Sequence, residues 1–147
     1  MREERDMVSV DVLNLTRRPV SEAKILHSVE RIIAQLRGKE QFSFLREVRL
    51  SVVFVGSARM RKLNAMWRHK DKPTDVLSFV LQKRQTKLSG EIILCPAVIQ
   101  KKEYGIPIRF DAKVEHLLIH AILHLCGFDH QTDSDWKKME KIAAKLS

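Results

Sequence analysis

Apolar and polar residues alternate near the start of the chain. In "VSVDVLNLT", residues 8 to 16, valine recurs at every second position, which predicts a strand. The period then lengthens. After Pro19, Ser21 is placed to cap a helix whose apolar stripe is Ile25, Leu26, Val29, Ile32, Ile33 and Leu36, with its stop at Gly38. "EVRLSVVFVG" returns to period two and predicts a second strand with Val48, Leu50, Val52 and Phe54 on one face. Ser57 reads as the cap of a helix running to about Arg68, with Met60, Leu63, Asn64 and Trp67 on one side. "HKDKPTD" reads as a polar loop fixed by Pro73, in which Thr74 and Asp75 hold the turn.

"VLSFVL" and "GEIILC" are short strand candidates, joined by the basic, glycine-ended stretch "QKRQTKLSG". That spacing predicts a hairpin with a long mobile loop. Pro96 suits the first turn of a helix that should end at Gly105, before Pro107. An apolar helix is predicted from about Arg109 to Cys126, stopped by Gly127. A last one, capped by Asp133 or Ser134, should turn Trp136, Met139, Ile142, Ala143 and Leu146 inward. Strands mixed with helices, without regular βαβ alternation, predict an α+β fold.

Composition narrows this reading. A chain of 147 residues without repeats or linkers is expected to form one domain, residues 1–147. The two cysteines, Cys95 and Cys126, fall in apolar segments and read as buried free thiols of a reducing compartment. A charged N-terminus and the lack of any apolar run near the ~18 residues of a membrane span place the expected location in the cytoplasm. The net charge is +9, and it is concentrated. Between Arg59 and Lys87 nine Lys/Arg face only Asp71 and Asp75. Such a segment suits a polyanion, although a solvated face has the same composition.

The chemistry is in "HLLIHAILHLCGFDH", which holds four of the six histidines. His116, His120 and His124 follow one another at four-residue steps, each turning about 40° and rising about 6 Å, so they share one helical stripe. Neighbours at that spacing reach one ion, since a Zn–N bond is about 2.0–2.1 Å. His116 and His124 are about 12 Å apart along the axis and do not. Gly127 permits a left-handed turn that sends the chain back, bringing His130 near His124. The metal set expected is therefore His120, His124 and His130, spaced H-x3-H-x5-H, with a fourth position open as in a catalytic zinc site. His116 is left to support a ligand or pack in the core. Cys126 points away from the ion. Asp129 either orients a ligand or water, or simply forms the turn. Three imidazoles also suit other divalent transition ions. In H-E-x-x-H peptidases a glutamate general base follows the first ligand; here that position is Ala121, which disfavours peptide hydrolysis.

"HAILHLCGFDH" closely resembles the H-G-x-L-H-L-x-G-Y-D-H signature of the bacterial YbeY family, with Ala121 for Gly and Phe128 for Tyr. "LNAMWRHKDKPTDVLSF", Leu63 to Phe79, is similar to the family's L-N-x-x-y-R-x-k-d-x-P-T-D-V-L-S-F-P. His69 there replaces a small residue and Val80 the final Pro. "GEIILC" is similar to its G-D-I-x-I strand, with Glu91 for Asp. The resemblance implies a zincin-like α+β fold around a mixed sheet of about four strands, with the metal site on the histidine helix. It implies a metal-dependent endoribonuclease acting on single-stranded RNA, in maturation of the 3′ end of small-subunit rRNA and in ribosome quality control. His120, His124 and His130 carry over as ligands of one Zn²⁺ per chain, and Arg68 as the basic residue facing the reaction site. The implied partners are the small ribosomal subunit, its rRNA and ribosome-associated proteins, with no membrane.

Residue chemistry is consistent with that implication. A guanidinium binds the charge that develops on non-bridging phosphate oxygens, and a metal activates water near neutral pH. Lys70 and Lys72 are candidates to hold the RNA backbone, with a solvated face as the alternative. Attack by hydroxide and metal-assisted attack by a 2′-OH are both compatible with these residues. Two other functions compete: a non-catalytic, zinc-stabilised RNA- or ribosome-binding factor, and a metallohydrolase of another substrate.

Overall fold

A computed structural model describes residues 6–105, 108–128 and 132–146. Its elements are β1 (Met7–Asn14), α1 (Glu22–Arg37), β2 (Glu47–Phe54), α2 (Ser57–Arg68), β3 (Val76–Arg84), β4 (Lys87–Leu94), α3 (Pro96–Lys101), α4 (Phe110–Leu125) and α5 (Asp133–Leu146). The architecture is α+β: five helices and one four-stranded mixed sheet, ordered β1-β2-β4-β3. β1, β2 and β4 run parallel, with Val12 opposite Val52 and Val52 opposite Ile92. β3 lies antiparallel to β4 at the sheet edge, with Phe79 opposite Glu91.

Strand alternation divides the core between the two faces of the sheet. Val48, Leu50, Val52 and Phe54 of β2, with Ile92 and Leu94 of β4, meet the stripes of α1, α4 and α5. Leu77 of β3 and Ile93 of β4 point the other way, under Met60 of α2. α1 forms as its pattern predicts: Ser21 Oγ accepts from Lys24 N–H at 3.2 Å, and Ile25, Val29, Ile32, Ile33 and Leu36 are buried. Leu26 of the same stripe is exposed, and Gly38 ends the helix in right-handed backbone.

Several expectations are corrected. Ser57 is the first helical residue, and Gly56 occupies the cap position without a side-chain bond. The stretch 82–90 is not a long loop. β3 and β4 continue through it, leaving only Gln85 and Thr86 between them, because the backbone keeps its ladder while Lys83 donates to Cys126 O at 2.9 Å and Lys87 pairs with Glu47. A bulge between Val80 and Gln82 absorbs one extra residue there, Leu81. α3 ends at Lys101 rather than Gly105. In α5 the hydroxyl of Thr132 caps by accepting from Asp135 N–H at 3.1 Å, in place of Asp133 or Ser134. Met139, Ala143 and Leu146 face inward as expected, but Trp136 does not, since the first turn of α5 overhangs a cleft. Both cysteines are free and buried.

The end of α4 matters most for the site. Gly127 takes φ +103°, its N–H donates to His124 O at 2.9 Å, and Phe128 N–H donates to Leu123 O at 3.0 Å. These two bonds and the left-handed glycine make a Schellman stop, with Phe128 folded back on the core. The helix thus stops just beyond its last histidine.

Candidate active site

A cleft of about 860 Å³ opens between α4, the start of β3, the end of α2 and the first turn of α5. It is lined by His116, His120 and His124 of α4, by Arg68 at the end of α2, and by Asp75 and Ser78. Lys102, Tyr104 and Trp136 complete its walls. The histidine stripe and Arg68, far apart in sequence, thus meet in one concavity. Arg68 reaches it because α2 ends on a left-handed His69, φ 58°, whose N–H donates to Asn64 O. Asn64 is itself buried and donates its amide to Lys72 O at 2.8 Å, fixing the loop that follows. Lys70 and Lys72 are exposed on that loop, outside the cleft lining. His130 and Asp129 lie outside the described residues.

Two hydrogen-bond distances orient His120. Nδ1 sits 2.9 Å from His116 O, and Nε2 sits 2.8 Å from Oε1 of Glu140 on α5. A carbonyl and a carboxylate only accept, so Nδ1 donates in the first contact and Nε2 in the second, facing Glu140. The His116 ring stacks obliquely on His120, centroids 4.3 Å apart, and also on Tyr104 at 5.1 Å. Burial, and then the charge of His120, hold the His116 pKa below the ordinary histidine value against the opposing pull of Glu140 and Asp75. Its half-buried ring is packed between His120 and Tyr104.

Asp75 is the hub of the opposite wall. It is buried, and Oδ2 accepts from Tyr104 O–H at 2.8 Å and from Lys102 Nζ at 3.1 Å, while Oδ1 accepts from Val76 N–H at 2.8 Å. Burial raises its pKa, but the bonds from Tyr104 and Lys102 and the Lys102 charge outweigh this, and the carboxyl lies below its usual range. Tyr104 is pushed the other way by burial and the Asp75 carboxylate, so it stays protonated and donating. Holding the loop is therefore one role of Asp75, and holding Lys102 and Tyr104 in the cleft wall is another.

Nothing in the local sequence pattern singles out Lys102, Tyr104, Trp136 or Glu140. They arrive from the segment after α3 and from α5, through packing that no short motif encodes. Ala121 lines the cleft where an H-E-x-x-H site would place its glutamate. Cys126 is in the core, where burial pushes its thiol up to about 12 against the opposing effect of Lys83. Among the described residues no three His, Cys, Asp or Glu side chains stand close enough to hold an ion. The donor set still fits one. Two imidazoles stand a turn apart on one wall, one has its Nδ1 tied to backbone, and a carboxylate stands beside its Nε2.

Fold and site together define a class: an α+β protein whose histidine-bearing helix faces a basic cleft at the antiparallel edge of a mixed sheet. Comparison with known proteins identifies the family. The family model described as Endoribonuclease YbeY matches residues 12–147, and the chain belongs to that family. Endoribonuclease YbeY of Staphylococcus saprophyticus is 36% identical over 109 residues, covering 69% of this chain and 71% of that protein. Those of Francisella philomiragia and Thermodesulfovibrio yellowstonii are 28% and 31% identical, covering 96% and 95% of this chain and 90% and 95% of theirs. A Thermotoga maritima protein known from a solution structure shares the fold, with TM-score 0.56 and 24% identity over 93% of this chain and 88% of that one.

Proposed function

We propose that this chain is a metal-dependent endoribonuclease that cuts single-stranded RNA, acting at the 3′ end of small-subunit rRNA and in ribosome quality control. In this reading residues 1–147 are one zincin-like catalytic domain, working in the cytoplasm with the small subunit and proteins associated with it. The observation that carries the proposal is the cleft that gathers Arg68 with His120 and His124. Family membership supplies the reaction class.

His120 and His124, with His130, would hold one Zn²⁺. When bound, the ion supplies Lewis acidity towards a phosphoryl oxygen and brings water into its reactive form near neutral pH. The chain's own groups do the rest. Arg68 binds the scissile phosphate and stabilises charge that grows on its non-bridging oxygens. Lys102, held by Asp75, adds a second cation on the facing wall. His116 packs behind His120 and keeps its ring oriented. Lys70 and Lys72 hold the RNA backbone beyond the cleft, and Asp129 orients a ligand or the water.

Chelation followed by zinc readdition tests this reading on a single-stranded rRNA 3′-end fragment. Cleavage should vanish with the metal and return with it, and His124→Ala should lower both metal content and cleavage. A chain that binds RNA, unfolds on chelation and never cleaves would instead be a zinc-stabilised binding factor.

A further inference from the structure

Both tryptophans of this chain stand in water beside the cleft, Trp67 59% exposed and Trp136 48%. Trp136 lines the cleft itself. Trp67 has no such explanation. It sits on the last turn of α2, one residue before Arg68, at helical spacing from the buried Met60 and Asn64. Instead its ring lies over the edge strand, 5.4 Å from the Phe79 ring at an interplanar angle of 59°. Phe79 fixes one flank of the indole and leaves much of the rest to solvent.

Apolar exposure continues along that edge. Met66, next to it on α2, is 67% exposed, and further along the edge strand the bulged Leu81 is 65% exposed. An aromatic ring of this size normally hides 150–250 Å² of surface, roughly, so an exposed one at a patch points to a ligand. Charge says which. Arg68, Lys70 and Lys72 follow Trp67 in the chain, and no described carboxylate pairs with any of these three. An exposed indole next in the chain to a cation that lines the cleft, with two more cations following, matches the stacking platforms of single-strand nucleic-acid sites. A protein partner or second copy would find the apolar surface but would have to bury the unpaired cations.

We infer that Trp67, braced by Phe79, is the platform on which a base next to the scissile phosphate stacks while Arg68 holds the phosphate itself. The inference rests on the ribonuclease reading above and deepens it. A duplex keeps its base faces covered, so the platform makes the cleft selective for single strands without reading sequence.

The test uses the full-length, metal-loaded chain and a single-stranded 2′-O-methyl RNA that resists cleavage. In a Trp136→Phe background Trp67 is the sole tryptophan, and its fluorescence should be quenched on titration with the single strand but not with a blunt duplex of the same composition. Trp67→Ala should weaken single-strand binding by about 5- to 150-fold, the range for one lost stacking contact, and Trp67→Phe should recover most of it. An unchanged Trp67 signal, or unchanged affinity in metal-replete Trp67→Ala, overturns the platform. So does self-association in the absence of RNA that Trp67→Ala abolishes. The two readings fail differently. A wild type that binds and cleaves RNA with Trp67 silent loses only the platform, whereas a wild type that neither binds nor cleaves RNA loses the function as well.

Discussion

Asp75 shows how much one side chain organises. Its carboxylate receives Tyr104, Lys102 and the Val76 N–H, and its own carbonyl accepts from Cys95 N–H at 2.9 Å. The folded-state pKa is below the unfolded one, so Asp75 contributes its full stability above the unfolded value of about 3.9 and loses it as pH falls through the folded pKa. Asp75→Asn should therefore cost about 1.5–3 kcal/mol near pH 7. That gap should narrow in acid, as the wild-type carboxyl takes its proton. Urea unfolding of both proteins at neutral pH and near pH 3 checks it, and a gap independent of pH would mean the charge is not what matters. The sequence marks Asp75 as a loop residue because it follows Pro73 and Thr74, but its partners come from nearly thirty residues downstream and leave no local trace.

At the scale of elements, α4 is placed by what is missing beneath it. Gly90 of β4 lies under Leu125: a Cβ there would stand 2.8 Å from Leu125 Cδ1 and 3.1 Å from Phe79 O. The helix that carries the histidines can pack close to the sheet only over a bare backbone. Gly90→Ala should cost about 1–3 kcal/mol by overpacking, read as a lower urea midpoint. Adding Leu125→Ala should cost less in that background than in wild type, since the methyl then has room. Equal costs in the two backgrounds would show that the contact is not tight.

The helices with one broad apolar stripe, α1 and α4, were legible because periodicity reports burial directly. Trp67 and Trp136 were not, because each sits on a terminal turn that overhangs the sheet edge or cleft, where a stripe residue has nothing to pack under. The distal part of the β3–β4 hairpin, residues 82–90, reads as loop in the sequence for the opposite reason. The β3 arm beyond Phe79 is exposed on both sides, so pairing rather than burial keeps it extended, and hydrophobic pattern cannot report pairing.

For the molecule as a whole, the site is a meeting of two kinds of information. The histidine stripe follows from helix pitch alone, and the turn at Gly127 has the left-handed geometry that a helix-stopping glycine allows. Arg68 entered only through resemblance to a family, and the fold then brings it to the cleft from the far end of α2. Lys102 and Glu140 required the fold itself. No described helix is long and apolar enough to cross a membrane, and the basic segment from Arg59 to Lys87 lies along α2 and the edge hairpin that border the cleft.

We propose that Arg68 and the histidine wall act on the same phosphate. It is tested most directly by measuring kcat/KM on a single-stranded rRNA 3′-end substrate for wild type and Arg68→Glu, with metal content determined on the same samples. One metal per chain is expected in both proteins, with a loss of about 100-fold or more in the variant, the scale of removing one preorganised donor to a developing oxyanion. Cleavage by a folded, metal-replete Arg68→Glu at close to the wild-type rate would contradict it.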